Sequence, residues 1–384
     1  MDEFPQKLWE KLELRRQEDS LRKLSEPSGL IDFSSNDYLG LARLPHNLDG
    51  LQRPGGSTSS RLIRGNHKGF NRAEALAARY HQAESALIFN SGYDANLSLL
   101  ASVPQRTDII FYDQQAHASI RDGIRLSQAR AYSFQHNNLA ALLQRYQTVF
   151  AKGRPEGSEV YVVTESVFSM EGDGPPLEEM MAFCEAHHCR LILDEAHATG
   201  VLGPGGRGMA AALGLEGRIF ARVVTYGKAM GSHGAAVLGS QSLRDYLINF
   251  ARSLIYTTAL PPESLARISW AYELLSGPEG TRLQEELRAN CETFRGAVRQ
   301  FGLEARFRGG LAAIFAYQVG GNARTRSLAA ALAQHGYDVR AILAPTVPPG
   351  EECLRFCLHS FNTEQEIMEV LRILSVSSEG TKHE

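Results

Sequence analysis

An α/β fold is what the sequence predicts: a large domain with a mostly parallel sheet between helices, followed by a smaller α+β terminal domain. Three observations predict it. Short β-branched apolar runs recur between Ala86 and Leu238 without polar alternation, the pattern of strands buried on both faces. Helical stretches separate several of these runs. Past Pro261 and Pro262 the character shifts to long helices with a few strands. At roughly 100 to 200 residues per domain, a chain of 384 residues holds two to three units. The expected division is 1–45 as an amino-terminal helix and segment, 46–265 as the large domain and 266–384 as the small one.

Taken in order, Leu8 to Leu24 spaces leucines among charges and reads as a surface helix. Leu51 to Gly69 is dense in Gly, Ser and Arg and reads as a loop. Asn71 to Gln82 is rich in strong helix formers. Strands are expected at Ala86–Phe89, Ile109–Tyr112, Val160–Val163, Leu191–Leu193, Val223–Thr225 and Ala235–Leu238, with helices at Ser119–Gln128, Leu139–Phe150 and Leu177–His187. The last two strands lie too close for a helical crossover, so they should pair antiparallel. Then come helices Leu265–Leu275 and Thr281–Phe301, a strand Ile314–Val319, a helix Thr325–His335, strands near Val339–Leu343 and Leu354–Leu358, and a helix Thr363–Leu374. The polar tail Ser375–Glu384 should fray.

Composition removes several function classes. Lys plus Arg total 40 and Asp plus Glu 43, a net charge of -3, which gives no reason to expect nucleic acid or an anionic membrane as partner. An apolar content of 43% excludes disorder. No window approaches the ~18 apolar residues that span a bilayer, and Met1 to Ser20 lacks the apolar core of a secretory signal. Cys184, Cys189, Cys291, Cys353 and Cys357 are odd in number and scattered. They suit a reducing, cytoplasmic compartment; Cys184 and Cys189 are five apart and no second pair has C-x-x-C spacing, so no zinc site is expected.

Two motif matches are decoys. Asp194-Glu-Ala-His197 spells a helicase signature, but the phosphate loop it needs is absent. Gly203-Pro-Gly205-Gly-Arg-Gly208 matches a dinucleotide fingerprint without a strand before it or an acidic residue about 20 positions on. His187 and His188 end a helix, where cationic side chains are favoured without a metal.

Three features fall at strand carboxyl ends, where α/β domains place ligands: Asp194 with His197, Thr225-Tyr-Gly-Lys228, and Ser91-Gly-Tyr93 before a helix. Singly they read as a solvated charge, a turn and a cap. Jointly they suit pyridoxal 5'-phosphate. That cofactor needs a lysine for a Schiff base, a carboxylate on its ring nitrogen, and N–H groups and hydroxyls at a helix start for its phosphate. His117, after the strand at Ile109, could stack on the ring.

The sequence resembles the α-oxoamine synthase family of fold-type I pyridoxal-phosphate enzymes. The resemblance is carried by Ser34–Gly40, Asn90–Tyr93, Gln115–Ala118, Thr164–Asp173, Asp194–Gly200, Thr225–Lys228 and Tyr256–Pro261, in the family's order. It implies that Lys228 holds the cofactor covalently, Asp194 pairs with the pyridine nitrogen, His117 stacks over the ring and His197 bonds the phenolic oxygen. It implies cofactor or phosphate contacts from Gly92, Tyr93, Ser169 and Thr225. Arg355 is expected to bind the amino-acid carboxylate, Arg22 and Thr346 to line the acyl site, and Asn36 to frame the centre. Thr257 and Thr258 should reach the phosphate of a neighbouring subunit, which implies a homodimer with shared sites. Ser34–Gly40 and Pro345-Thr-Val-Pro348 resemble the branch of biotin biosynthesis that condenses L-alanine with a pimeloyl thioester, on coenzyme A or a carrier protein. Glycine acetyltransfer, or another synthase of the family, is the near alternative, and an aminotransferase the remote one. Neither a metal nor a membrane enters this expectation.

Overall fold

The computed structural model describes residues 4–22, 24, 29–45 and 55–380. Along the chain run α1 (Gln6–Gln17), β1 (Ile31–Asp32), α2 (Lys68–Tyr80), β2 (Ser85–Phe89), α3 (Gly92–Ser102), β3 (Ile109–Asp113), α4 (Ala118–Leu126), β4 (Arg130–Phe134), α5 (Leu139–Val149) and β5 (Val160–Glu165). Next are α6 (Leu177–Ala186), β6 (Arg190–Asp194), α7 (Met209–Ala212), β7 (Ala221–Thr225), β8 (Ala235–Gly239), α8 (Gln241–Phe250), α9 (Arg252–Ile255), α10 (Pro262–Leu275) and α11 (Pro278–Gln300). The chain closes with β9 (Phe307–Gly309), β10 (Ile314–Gln318), α12 (Asn322–Gln334), β11 (Tyr337–Asp338), β12 (Arg340–Ile342), β13 (Cys353–Cys357) and α13 (Glu364–Gly380).

The larger unit comprises Asn36–Ser169 and Asp173–Glu286. Its seven strands lie in the order β2-β8-β7-β6-β5-β3-β4. The four pairings from β7 to β4 are parallel, and β8 runs antiparallel to both of its neighbours. Side chains alternate across the sheet, so each strand feeds two cores. Ile110, Tyr161, Val163 and Ile192 pack with Leu99 and Leu100 of α3. Ile109, Phe111, Val162, Leu191 and Leu193 pack with Met180 and Cys184 of α6. Helices on both faces explain why these strands read as continuous apolar runs.

The smaller unit comprises Met1–Ser35, Met170–Gly172 and Leu287–Glu384. It holds an antiparallel sheet β12-β13-β10-β9 and a parallel pair β1-β11. Phe294 of α11 packs its ring on Phe307, Phe315 and Phe356.

Several expectations need correction. The helix expected to reach Leu24 ends at Gln17, because Asp19 turns to φ 50 and the Ser20 N–H closes onto the Arg15 carbonyl. The stretch read as a loop contains a π-helical turn at Arg61–Gly65, in which the Gly65 N–H donates to the Ser60 carbonyl at 2.8 Å. Strand β4 went unread, for its exposed-to-intermediate edge pattern interrupts any apolar run. Helix α13 continues past Leu374, since no breaker precedes Gly380. The chain passes between the two compact units at 35/36, 169/170, 172/173 and 286/287. Helix α10 stays with the larger unit because Tyr272 packs on Tyr80 and Glu273 pairs with Arg72 at 2.6 Å. Of the stretches read above, residues 1–3, 23, 25–28, 46–54 and 381–384 lie outside the described residues.

Candidate active site

The larger unit gathers its chemistry at the carboxyl ends of β2, β3, β5, β6 and β7. Asp194 ends β6 and Thr225 ends β7. Ser91 follows β2 as the cap of α3, accepting the Asp94 N–H at 3.0 Å. His117 follows β3 as the cap of α4, its Nδ1 accepting the Ser119 N–H at 3.2 Å. Each cap satisfies a helix-start donor, and the start of α3 gives an anion free N–H groups and a favourable dipole.

Lys228 lies in the turn after β7, and its Nζ sits 2.7 Å from Nε2 of His197. His197 Nδ1 lies 2.7 Å from the Tyr38 hydroxyl, which donates to Asn36 Oδ1 at 3.0 Å. With its proton committed to Asn36, the Tyr38 oxygen accepts from Nδ1–H. That leaves the lone pair of Nε2 for Lys228. The turn carrying Lys228 is held at its far side. Arg267 donates to the carbonyls of Gly231 at 3.3 Å and Leu44 at 3.1 Å, and also to that of Leu41. Gly231 has φ 54 and lies against the Ala42 backbone, a conformation and a closeness that favour glycine.

Asp194 is buried, and its carboxylate is fully ordered. Oδ1 accepts the Ala196 N–H at 2.8 Å and Oδ2 accepts the Asn96 amide at 2.6 Å. Glu165 is its register partner on β5. Burial first, and then the Asp194 charge, push the Glu165 carboxyl up to about 8. The Glu165 Oε1 accepts the His117 N–H at 2.6 Å. Loss of hydration lowers the His117 pKa, and Asp194, the next influence, does not offset it.

These residues fit pyridoxal phosphate. A lysine, a buried carboxylate and a helix start lie at the carboxyl ends of β7, β6 and β2. Gly92 also forms a cradle, where a Cβ would meet Thr225 Cγ2 at 2.6 Å. The larger unit thus holds Asn36, Gly92, Tyr93, His117, Ser169, Asp194, His197, Thr225, Lys228, Thr257 and Thr258. Tyr93 presents its ring edge-on to His117 at 6.5 Å and gives its hydroxyl to Asp122. Thr257 Oγ1 and the Thr258 carbonyl accept the Asn90 amide at 3.2 and 2.8 Å. Arg22, Thr346 and Arg355 belong to the smaller unit. There Arg22 donates to Thr346 Oγ1 at 3.2 Å, and buried Arg355 lies at mid-strand in β13. No role was legible for Tyr38, Asn96, Ser119, Glu165 or Arg267, because the contacts that join Tyr38 to His197, Asn96 to Asp194 and Ser119, Glu165 to His117 and Arg267 to Leu41 link residues 23 to 226 positions apart.

Comparison with known proteins agrees with this geometry. The family model for class I and II aminotransferases matches residues 28–374. The 8-amino-7-oxononanoate synthase of Emericella nidulans is 42% identical, covering 94% of this chain and 93% of the relative. The solved structure of 8-amino-7-oxononanoate synthase from Francisella tularensis has a TM-score of 0.74 at 30% identity, covering 93% of this chain and 100% of that one. A serine palmitoyltransferase from S. paucimobilis with bound PLP shares the fold, with a TM-score of 0.87 at 24% identity over 98% of each chain.

Proposed function

The chain belongs to the class I and II aminotransferase family, and from that premise we propose that it is a pyridoxal-phosphate-dependent acyltransferase of biotin biosynthesis. The reaction condenses L-alanine with a pimeloyl thioester to 8-amino-7-oxononanoate. A carbon–carbon bond forms at the alanine α carbon, the thiol leaves, and the alanine carboxylate departs as CO₂. The observation that carries this reading is Lys228 beside His197, with Asp194 at the neighbouring strand end, in a chain 42% identical to a synthase of that name.

Lys228 is assigned the covalent link to the cofactor, and Asp194 the pairing with its ring nitrogen. Pyridoxal phosphate supplies a sink for the electron pair left on the α carbon. When its amine is free, Lys228 can take the α proton, and His197 takes up a proton on the lone pair that faces Nζ. Gly92, Tyr93, Ser169 and Thr225 are assigned to the cofactor and its phosphate, with His117 over the ring. Asn36, Arg355, Arg22 and Thr346 are assigned to the substrates. A guanidinium such as that of Arg355 grips a carboxylate with two parallel bonds. Thr257 and Thr258 are assigned to a partner subunit's phosphate, so the working form is a homodimer. Among the described residues no helix is long and apolar enough to cross a membrane, and the five buried cysteines form no disulfide with one another. The five buried thiols support a reducing compartment such as the cytoplasm.

Mass spectrometry of the products from L-alanine and a pimeloyl thioester tests the reading. The expected product is 8-amino-7-oxononanoate, one CO₂ per turnover, and neither from Lys228→Ala. Transamination of alanine to pyruvate instead would overturn it.

A further inference from the structure

Asn96 stands on α3, 2% exposed, between two groups of the site. Its Nδ2 lies 2.6 Å from Asp194 Oδ2 and 3.1 Å from Ser119 Oγ. Ser119 is fully buried, and its Oγ lies 2.8 Å from Nδ1 of His117. An ionised carboxylate only accepts, so the Asn96 nitrogen, not its oxygen, faces Asp194. That nitrogen has two hydrogens. One goes to Asp194 and the other to Ser119. Filled as an acceptor, the Ser119 hydroxyl donates to Nδ1 of His117, which already accepts the Ser119 N–H. The neutral imidazole therefore carries its proton on Nε2.

We propose that Asn96 is a positioning residue for this reaction: one amide group orients the Asp194 carboxylate with one hydrogen and, with the other, aims the Ser119 hydroxyl at His117 Nδ1, reinforcing the tautomer that the Ser119 N–H also favours. The inference rests on the reading of Asp194 as the partner of the cofactor's ring nitrogen. It joins the group assigned to the cofactor's ring nitrogen and the group assigned to its face in a single hydrogen-bonded assembly, built from α3, β6 and the start of α4. Neither arm survives replacement by an apolar side chain of similar size.

The test uses apoprotein and pyridoxal phosphate itself, with affinity read from the visible absorption at pH 6 and pH 9. Asn96→Leu should bind about 10- to 100-fold more weakly than the parent at both pH values, the usual cost of removing a donor from a buried charge. Asn96→Asp places a second carboxyl against Asp194, and two such groups share one proton. When protonated, its single O–H donates to Asp194 as the amide did, and the donation to Ser119 is lost. Its affinity should therefore lie within about threefold of the parent at pH 6 and fall about tenfold or more at pH 9. Glu165, His117 and Lys228 also face this site and titrate in both proteins, so the ratio to the parent is what is read. Ser119→Ala should keep the affinity within about threefold while lowering kcat about two- to tenfold, since the hydroxyl bond to His117 is lost while the N–H of residue 119 still donates to Nδ1. Asn96→Leu binding and turning over like the parent, or Asn96→Asp impaired equally at both pH values, overturns the proposal. If Asn96→Leu fails to fold, the pH dependence of Asn96→Asp, read within one protein, decides. Asp194→Asn is run alongside. If it binds and reacts normally, the reading of Asp194 fails instead.

Discussion

His197 is held from both sides, by Tyr38 at Nδ1 and Lys228 at Nε2, and this makes Tyr38 a sensitive position. Tyr38→Phe keeps the ring but leaves a buried N–H without its acceptor. The expected loss is about 1–3 kcal/mol in urea unfolding, and a change below about 0.5 kcal/mol would mean that His197 is not held this way. Glu165 gives a pH prediction. Its folded pKa of about 8 lies above the reference 4.5, chiefly through burial. The folded state therefore binds more protons than the unfolded one between these values, and stability falls as pH rises through that window. Glu165→Gln retains an oxygen for the His117 N–H and cannot titrate. Relative to the parent it should be more stable at pH 8.5 than at pH 5. Equal offsets at the two pH values would place the Glu165 pKa in the ordinary range.

At the scale of elements, β3 and β4 are joined at their carboxyl ends by a charged clasp. His136 bridges Asp113 of β3 at 2.8 Å and Asp173 at 3.0 Å. Burial would lower its pKa, but the hydrogen bonds to Asp113 and Asp173, with their charges, raise it to about 10. A raised folded pKa contributes stability fully below the unfolded value near 6.5, and this is lost as pH rises through about 10. The stability deficit of His136→Phe should thus be largest at pH 6 and shrink by pH 10. A deficit that does not change with pH would show that the imidazole is neutral throughout. The clasp was invisible in the sequence, where Asp113, His136 and Asp173 are far apart. The buried strands were legible for the opposite reason: a strand covered on both faces, such as Val160–Glu165, runs apolar without alternation over Val160–Val163 before it reaches the site at Thr164 and Glu165. Edge strand β4 has no such constraint and leaves no run to read.

Across the whole molecule, the cofactor residues were legible and their supports were not. Lys228, Asp194 and His197 stand in short motifs because each must sit within a few residues of a strand end. Asn96, Ser119, Glu165 and Arg267 act across 23 to 226 positions of chain, and only the sheet order brings them to the site. Substrate choice is carried by still less, since one methyl group in a fitted pocket is worth only about 1–3 kcal/mol. The central claim is therefore tested most directly by steady-state rates with alanine and glycine, each crossed with pimeloyl-CoA and acetyl-CoA. The account predicts alanine with pimeloyl-CoA as the pair with the highest kcat/KM. Glycine with acetyl-CoA as the fastest pair would contradict it.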